Sequence, residues 1–339
     1  MKDFLFGKTL NELTEIVSRL ELPRFTAKQI ADWLYKKRAS AISEMTNISL
    51  ANRQKLESEF EVGVYAPCKN QTSKDGTKKY LFETTQKEKT FVESVYIPEN
   101  DRATLCVSSQ AGCKMACKFC MTGRQGYQLN LSVNEILNQI RSIPESDKLT
   151  NIVYMGMGEP FDNIENVLKS LEIMTSDYGF ASSPKRITVS TIGIVPAMIE
   201  FLNKSKCHLA VSLHNAFDDE RLQLMPIQNK YPISEIVRVL RNYDFSHQRR
   251  LSFEYIMFDG INDSPRHSME LAKLLRGLDC RINLIRFHQI PNCDLRPSKD
   301  VAIENFKNYL NSKNIITTLR ASRGIDILAA CGMLSGIDN

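Results

Sequence analysis

From Thr104 onward, short β-forming runs alternate with stretches of helical periodicity, and this alternation limits the possible folds more than any other feature of the chain. The runs stand at 104–108, 151–155, 186–190, 208–213, 251–257 and 281–287. Between them a helix capped by Ser132 and Glu135 runs to about Ile140, and further helices are predicted over 164–174, 195–202, 233–243 and 265–275. Strand, helix and strand in succession pair the two strands in parallel. Six such units are too few for the closed eight-stranded barrel, so the pattern predicts an α/β fold, an open partial (β/α)6 barrel with ligands at the C-terminal strand ends. A large substrate can enter such a barrel through its open side.

Residues 1–61 read as a small helical accessory domain, too short to carry chemistry alone. Thr9 with Glu12 makes a capping box ahead of the stripe Leu10, Leu13, Ile16, Val17 and Leu20. Thr26 with Gln29 makes a second, with Phe25 and Ile30 at the spacing of a hydrophobic staple, and a third helix starts at Ser49. Over 62–98 the pattern turns to strands, with a hairpin signal at Asp75-Gly76 and one strand face formed by Phe91, Glu93, Val95 and Ile97. Glu93 is the exception on that face: its carboxylate either points into a functional cavity or lies at a solvated rim. The barrel is expected over 99–314, ending in a helix over 301–310, and a strand over 315–320 opens the irregular tail segment 315–339.

A content of 42% hydrophobic and 24% charged residues excludes a disordered or fibrous chain. Lys and Arg exceed Asp and Glu by only 44 to 39, too little to demand a polyanionic partner. The local clusters Lys36-Lys37-Arg38, Lys78-Lys79 and Arg249-Arg250 either touch phosphate or form solvated surface. The N-terminal MKDFLFGKTLNEL lacks a signal-peptide pattern, and no stretch nears the roughly 18 apolar residues of a membrane helix, so a cytoplasmic protein without a membrane partner is expected. In that compartment thiols stay reduced, and nine cysteines point to metal binding or catalysis.

Cys113, Cys117 and Cys120, spaced C-x3-C-x2-C, follow the first barrel strand directly. Three thiolates can hold three irons of a 4Fe-4S cube and leave the fourth without a protein ligand. The amino and carboxylate groups of S-adenosylmethionine can chelate that iron, where one electron cleaves the sulfonium to methionine and a 5′-deoxyadenosyl radical. The competing reading is a structural zinc site with Cys106 as fourth ligand, although Cys106 falls inside the predicted strand. Other strand ends offer what the ligand needs. Tyr154-Met155-Gly156-Met157-Gly158-Glu159-Pro160 lets backbone approach closely and places Glu159 to take an ammonium, Ser190 ends the third strand, and Ser212-Leu213-His214 ends the fourth.

The segments CVSSQAGCKMACKFC, YMGMGEP, STIGIVP, VSLH, INLIR and RGIDILAACG, in this order, resemble the radical S-adenosylmethionine RNA adenine methyltransferases. The resemblance is closest to the dual-specificity type that methylates C2 of adenine in 23S ribosomal RNA and in tRNA, and it covers nearly the whole chain. It implies the radical SAM form of the partial barrel, one 4Fe-4S cluster on Cys113, Cys117 and Cys120, and two S-adenosylmethionine molecules per turnover. The first methylates Cys331 by displacement, and the second becomes the radical that takes a hydrogen from that S-methyl group. The methylene radical then adds to adenine C2, Cys106 releases the product through a transient disulfide with Cys331, and Glu93 is the proton acceptor. The cofactor residues carried over are Gly158, Glu159, Ser190, Ser212, Leu213, His214 and His288, the last standing where the family often has Asn. A flavodoxin or ferredoxin as electron donor and a monomeric enzyme are further expectations. Cys68, Cys207, Cys280 and Cys293 keep a structural reading.

Adenine C2 lies between two ring nitrogens and is too electron-poor to attack a sulfonium methyl, which is why a radical route is needed there. The target base must be unstacked or flipped to reach a barrel interior. Two rivals stand beside this reading. One is the relative that methylates C8 of the same ribosomal adenine and confers antibiotic resistance, against which Ala111 and Pro160 lean; the other is a non-catalytic, zinc-binding RNA module.

Overall fold

The computed structural model describes residues 2–247 and 249–336. Ten strands form the central sheet: β1 (Lys69–Thr72), β2 (Lys78–Glu83), β3 (Phe91–Glu99), β4 (Arg102–Cys106), β5 (Asn151–Tyr154), β6 (Ile187–Thr191), β7 (His208–Ser212), β8 (Leu251–Met257), β9 (Arg281–Arg286) and β10 (Ile316–Leu319). They lie side by side in chain order, and the sheet stays open, with β1 at one edge and β10 at the other. Neighbours from β1 to β4 are antiparallel, and those from β4 to β10 are parallel.

The six expected barrel strands are β4 to β9, each within two residues of its predicted span. The strand expected at the head of the tail segment is β10, and it joins the same sheet, Arg281 to Leu284 pairing in parallel with Ile316 to Leu319. The helix Asp300–Ser312 is its crossover, so a seventh parallel strand follows the six of the barrel. Alternation along β8 shows how the sheet sorts its side chains. Tyr255 packs outward on Phe306 of that helix, with ring centroids 5.2 Å apart, whereas Glu254 and Ile256 border the barrel's interior cavity.

In the accessory helices, the Thr9 hydroxyl accepts from Glu12 N at 3.3 Å while the Glu12 carboxylate accepts from Thr9 N at 2.8 Å, closing the first capping box over buried Leu13, Ile16 and Val17. Ser49 caps the helix Leu50–Glu59. The second box does not form. Thr26 N already donates to Pro23 O at 2.9 Å, so Thr26 enters the helix as its first residue, and Phe25 is 64% exposed instead of stapled. The accessory domain and barrel share one hydrophobic core, fastened by Asn134 Nδ2 donating to Phe6 O (3.0 Å) and Gly63 O (2.7 Å) and by a Lys169–Glu12 ion pair at 2.7 Å.

The hairpin predicted at Asp75-Gly76 joins β1 to β2, and Asp75 accepts from Thr77 N at 2.9 Å. Its basic pair is turned to internal use: Lys78 meets Glu145 at 2.7 Å and Lys79 meets buried Glu93 at 2.8 Å, which removes both from the candidate phosphate contacts. Arg38 pairs with Asp147. Among the described residues no helix is long and apolar enough to cross a membrane.

A second hairpin escaped the sequence reading. Gln110–Gly112 pairs antiparallel with Tyr127–Asn130 and closes the two ends of the three-cysteine loop. Gly112 sits at φ +73°, and a Cβ there would lie 1.9 Å from Gly126 O. The substitution Gly112→Ala is therefore expected to cost on the order of 1–3 kcal/mol and to lower the iron bound per chain after anaerobic reconstitution. Thermal melting and iron analysis check this; wild-type iron content would show that the hairpin does not hold the loop.

Candidate active site

The C-terminal ends of the parallel strands converge on one cavity. Cys113, Cys117 and Cys120 line it, as do Gly158 and Glu159 after β5, Ser190 on β6, Ser212 on β7 and His214 just beyond it. The cysteine loop is held by backbone bonds: Cys113 N donates to Gly126 O (3.1 Å), Lys118 N to Leu224 O (3.1 Å) and Cys120 N to Cys117 O (3.2 Å). Burial pushes the Cys113 thiol up to about 12 and raises Cys117 and Cys120 as well, so these thiols need a cation at the sulfur to ionise.

The arrangement fits a cluster. Among the described residues no three His, Cys, Asp or Glu side chains converge on one ion position, so a closed four-ligand zinc site is not formed. Three thiols that line one cavity suit a group whose separate irons each take one ligand. Cys106, the fourth ligand of the zinc reading, borders a different cavity.

Glu159 is buried and ties two strand ends together. Its carboxylate accepts from Thr191 Oγ1 (2.6 Å), Ile192 N (2.9 Å) and Phe161 N (3.0 Å), and burial pushes it up to about 7 against those lowering bonds. Gly158, at φ +92°, presses on Gln110, and a Cβ would meet that side chain at 2.4 Å. His214 has the left-handed φ of +57°, its Nδ1 accepts from Ile256 N at 3.0 Å, and its ring stands edge-on to Phe119 at 4.8 Å. Burial, with Arg221 adding, pushes its pKa down to about 3. The ring is thus neutral, and because Nδ1 accepts, the proton resides on Nε2. Leu213 does not line the cavity; it is fully buried, donates its N–H to Glu254 O at 3.0 Å and offers its carbonyl to Arg221.

A second cavity is lined by Cys106 and by His288, whose Nε2 lies 2.7 Å from Ser322 Oγ. His288 is therefore on the Cys106 side and not among the strand ends around the cysteine loop. Cys331 borders both cavities, together with Met155, Ile285, Arg320 and Leu334. Its side chain is accessible from these spaces while protein surrounds it, which raises its pKa; burial takes Cys106 up to about 12. None of the nine cysteines is in a disulfide.

Glu93 borders neither cavity. It is 2% exposed, ion-paired with Lys79, and accepts from Ser335 N (2.7 Å) and Gly336 N (3.0 Å), gripping the tail just past Cys331. Thr122 Oγ1 donates to Leu334 O (2.7 Å) and Met121 N to Gly332 O (2.8 Å). At the tail's start Asp75 accepts from Gly324 N (3.0 Å) and Asp326 from Lys74 N (3.2 Å). Residues 337–339 of the predicted tail segment lie outside the described residues. Sequence reasoning missed Arg320 and Glu254, an ion pair of 3.2 Å at the cavity; the place of Arg320 directly after a strand was the available signal.

Residues 107–272 match the radical SAM superfamily model, and residues 4–62 match that of the ribosomal RNA large subunit methyltransferase N-terminal domain. A relative from Parabacteroides distasonis, named "Probable dual-specificity RNA methyltransferase RlmN", is 57% identical over 335 residues, 99% of this chain and 97% of that one. The chain belongs to the RlmN family of radical SAM methyltransferases. The dual-specificity RNA methyltransferase RlmN of Syntrophus aciditrophicus is 42% identical over 97% of this chain and 95% of its own length. A radical SAM methyltransferase from Sphaerobacter thermophilus superposes with a TM-score of 0.91 at 37% identity, over 99% of this chain and 100% of that one. This RlmN-family chain is accordingly a radical SAM RNA methyltransferase with the fold of that relative.

Within the family's site, the state of His214 is directly measurable. The unfolded chain protonates this ring near 6.5 and the folded one near 3, so its contribution to stability is present above pH 6.5 and declines as the pH falls below it. In ¹⁵N-histidine spectra, His214 is expected as the Nε2–H tautomer without a titration step between pH 5 and 8. A step near 6.5 would contradict the geometry.

Proposed function

We propose that this enzyme methylates C2 of an adenine in the peptidyl transferase centre of 23S ribosomal RNA and of the adenine 3′ of the anticodon in tRNA, consuming two S-adenosylmethionine molecules per turnover. The observation that carries this reading is the place of Cys331, a single thiol bordering both the cavity of the three-cysteine loop and the cavity of Cys106. A methyl carrier needs that double access.

Cys113, Cys117 and Cys120 would hold the 4Fe-4S cluster, which when bound supplies the electron for reductive cleavage of S-adenosylmethionine. Glu159 would accept from the ammonium of that molecule, while the Ser190 and Ser212 side chains and His214 Nε2–H offer polar contacts at the same mouth. Cys331 sulfur takes the first methyl by displacement: an S–C bond forms, the sulfonium C–S bond breaks, and the thiol proton leaves. Loss of a hydrogen atom from the S-methyl group leaves a carbon radical on the Cys331 side chain, next to a sulfur that stabilises it. That carbon bonds to adenine C2, the adduct gives back the electron that began the cycle, and Glu93, freed from Ser335 and Gly336 once the tail moves, takes the C2 proton. Cys106 thiolate then attacks Cys331 sulfur, forming S–S as the S–CH2 bond breaks, and the released methylene carbon picks up a proton to become the methyl group. A dithiol reductant must restore both thiols before the next cycle. Arg320, ion-paired with Glu254 and close in charge to Cys106 and Cys331, favours their thiolate forms. The electron comes from a flavodoxin or ferredoxin, and the enzyme works as a cytoplasmic monomer.

Anaerobic reconstitution followed by mass spectrometry of modified RNA tests this. Cys331→Ala is expected to keep about four irons per chain and transfer no methyl, whereas Cys106→Ala is expected to stall with RNA covalently attached. Normal transfer by Cys331→Ala, 8-methyladenosine as sole product, or a colourless wild-type protein with one zinc would each overturn the proposal.

A further inference from the structure

Arg221 is the largest of the fully buried side chains, on the short helix Asp218–Leu224. Its guanidinium donates to Leu213 O (2.9 Å), Ser212 O (3.0 Å), Ile192 O (3.1 Å) and Gln228 Oε1 (2.6 Å). All four acceptors are neutral, and it makes no ion pair with a carboxylate of the described residues. A buried charge without a counter-charge is costly, because dipoles replace only part of its hydration. The carboxylate of Asp218 is held one side chain away, accepting from Gln228 Nε2 at 2.6 Å.

On its other side the guanidinium faces the cysteine loop. Ile192 and Ser212, whose carbonyls hold Nη2, line the cavity with Cys113, Cys117 and Cys120. The carbonyl of Leu224, at the end of the Arg221 helix, accepts from Lys118 N inside the loop at 3.1 Å, and Leu224 and Met225 pack in one cluster with Phe119. Cys117 is close enough to Arg221 for a charge on its sulfur to act on the guanidinium.

We infer that Arg221 is a positioning residue for the cluster, its buried positive charge behind the Cys117 loop stabilising the reduced, more negative metal centre. This rests on the proposed cluster site. Three thiolates on a 4Fe-4S core of charge +2 give a net charge of −1, and one electron from a low-potential donor makes it −2 with no proton moved. A fixed cation in a water-poor wall favours the second state over the first. A role confined to tying β6 and β7 together would lower stability and leave the potential where it is.

The test is an EPR-monitored redox titration of the reconstituted full-length protein with dithionite and mediators, alongside iron content and thermal melting. Arg221→Gln is expected to lower the reduced-to-oxidised ratio at fixed potential about tenfold, which is about 59 mV for a one-electron couple, and Arg221→Lys to recover most of that shift. Asp218→Asn removes the negative charge behind Arg221 and is expected to move the potential the opposite way. Arg221→Gln with full iron and an unmoved potential overturns the inference. If Arg221→Gln cannot be loaded, Asp218→Asn decides: a positive shift supports it and no shift overturns it. A wild-type protein that binds no cluster would instead sink the site reading beneath it, and this inference with it.

Discussion

Parallel pairing of seven strands is the constraint on which the site depends. Parallel strands all end on one rim, and each must be followed by a crossover, so the loops that leave that rim come from distant parts of the chain. Cys113, Glu159, Ser190, Ser212, Glu254 and Arg320 meet around one cavity although no two belong to the same strand-loop segment. The pleat then decides which residues are inward. Glu254 survives in the fully buried β8 because alternation points it at Arg320, Asn283 and Ser252 and away from the helical layer.

The antiparallel strands β1 to β3 serve a different purpose. They add no ligand-bearing loop at the rim, yet they hold the C-terminal tail at both ends. The β1–β2 turn receives Gly324 N on Asp75 and binds Asp326, and β3 receives Ser335 N and Gly336 N on Glu93. Between these clasps lies the small-residue stretch Ala329-Ala330-Cys331. Glu93 can remain in an apolar strand because Lys79 and two backbone N–H groups answer its charge. The carboxylate that the sequence marks as out of place is, in this conformation, a tie between sheet and tail that meets the chain at Ser335 and Gly336, just past Cys331.

The parallel strands, the cysteine loop and the glycine-rich end of β5 were legible in the sequence because each leaves a local signature: alternation, spacing, and residues that only a close backbone approach requires. Features created by distant contacts were not. The Thr26-Gln29 pattern has the letters of a capping box, but the Pro23 turn upstream starts the helix a residue too early for it. The hairpin around the cysteine loop has arms of three and four residues, too short for a period to show. Asp218–Leu224 reads as a polar DDERLQL segment, and nothing local announces that its arginine is buried by the carbonyls of β6 and β7. Lys78-Lys79 looks like a phosphate contact until the fold brings Glu145 and Glu93 to it.

Arg221 and Arg320 show how charge is apportioned between the cavities. Arg320 has a carboxylate partner, Glu254, and stands beside Cys106 and Cys331, whose sulfurs in the proposed cycle would alternate among thiol, thiolate, thioether and disulfide. A lone cation there would be stranded whenever those sulfurs were neutral, and the ion pair avoids that. Arg221 has only neutral acceptors and stands behind a loop whose three sulfurs, as the proposed cluster ligands, would stay anionic throughout the cycle. A permanent anion can balance a permanent cation without a carboxylate. The difference in partners between the two guanidiniums matches the difference the proposed cycle asks of the neighbouring sulfurs: one set would change charge, and the other would not return to neutrality.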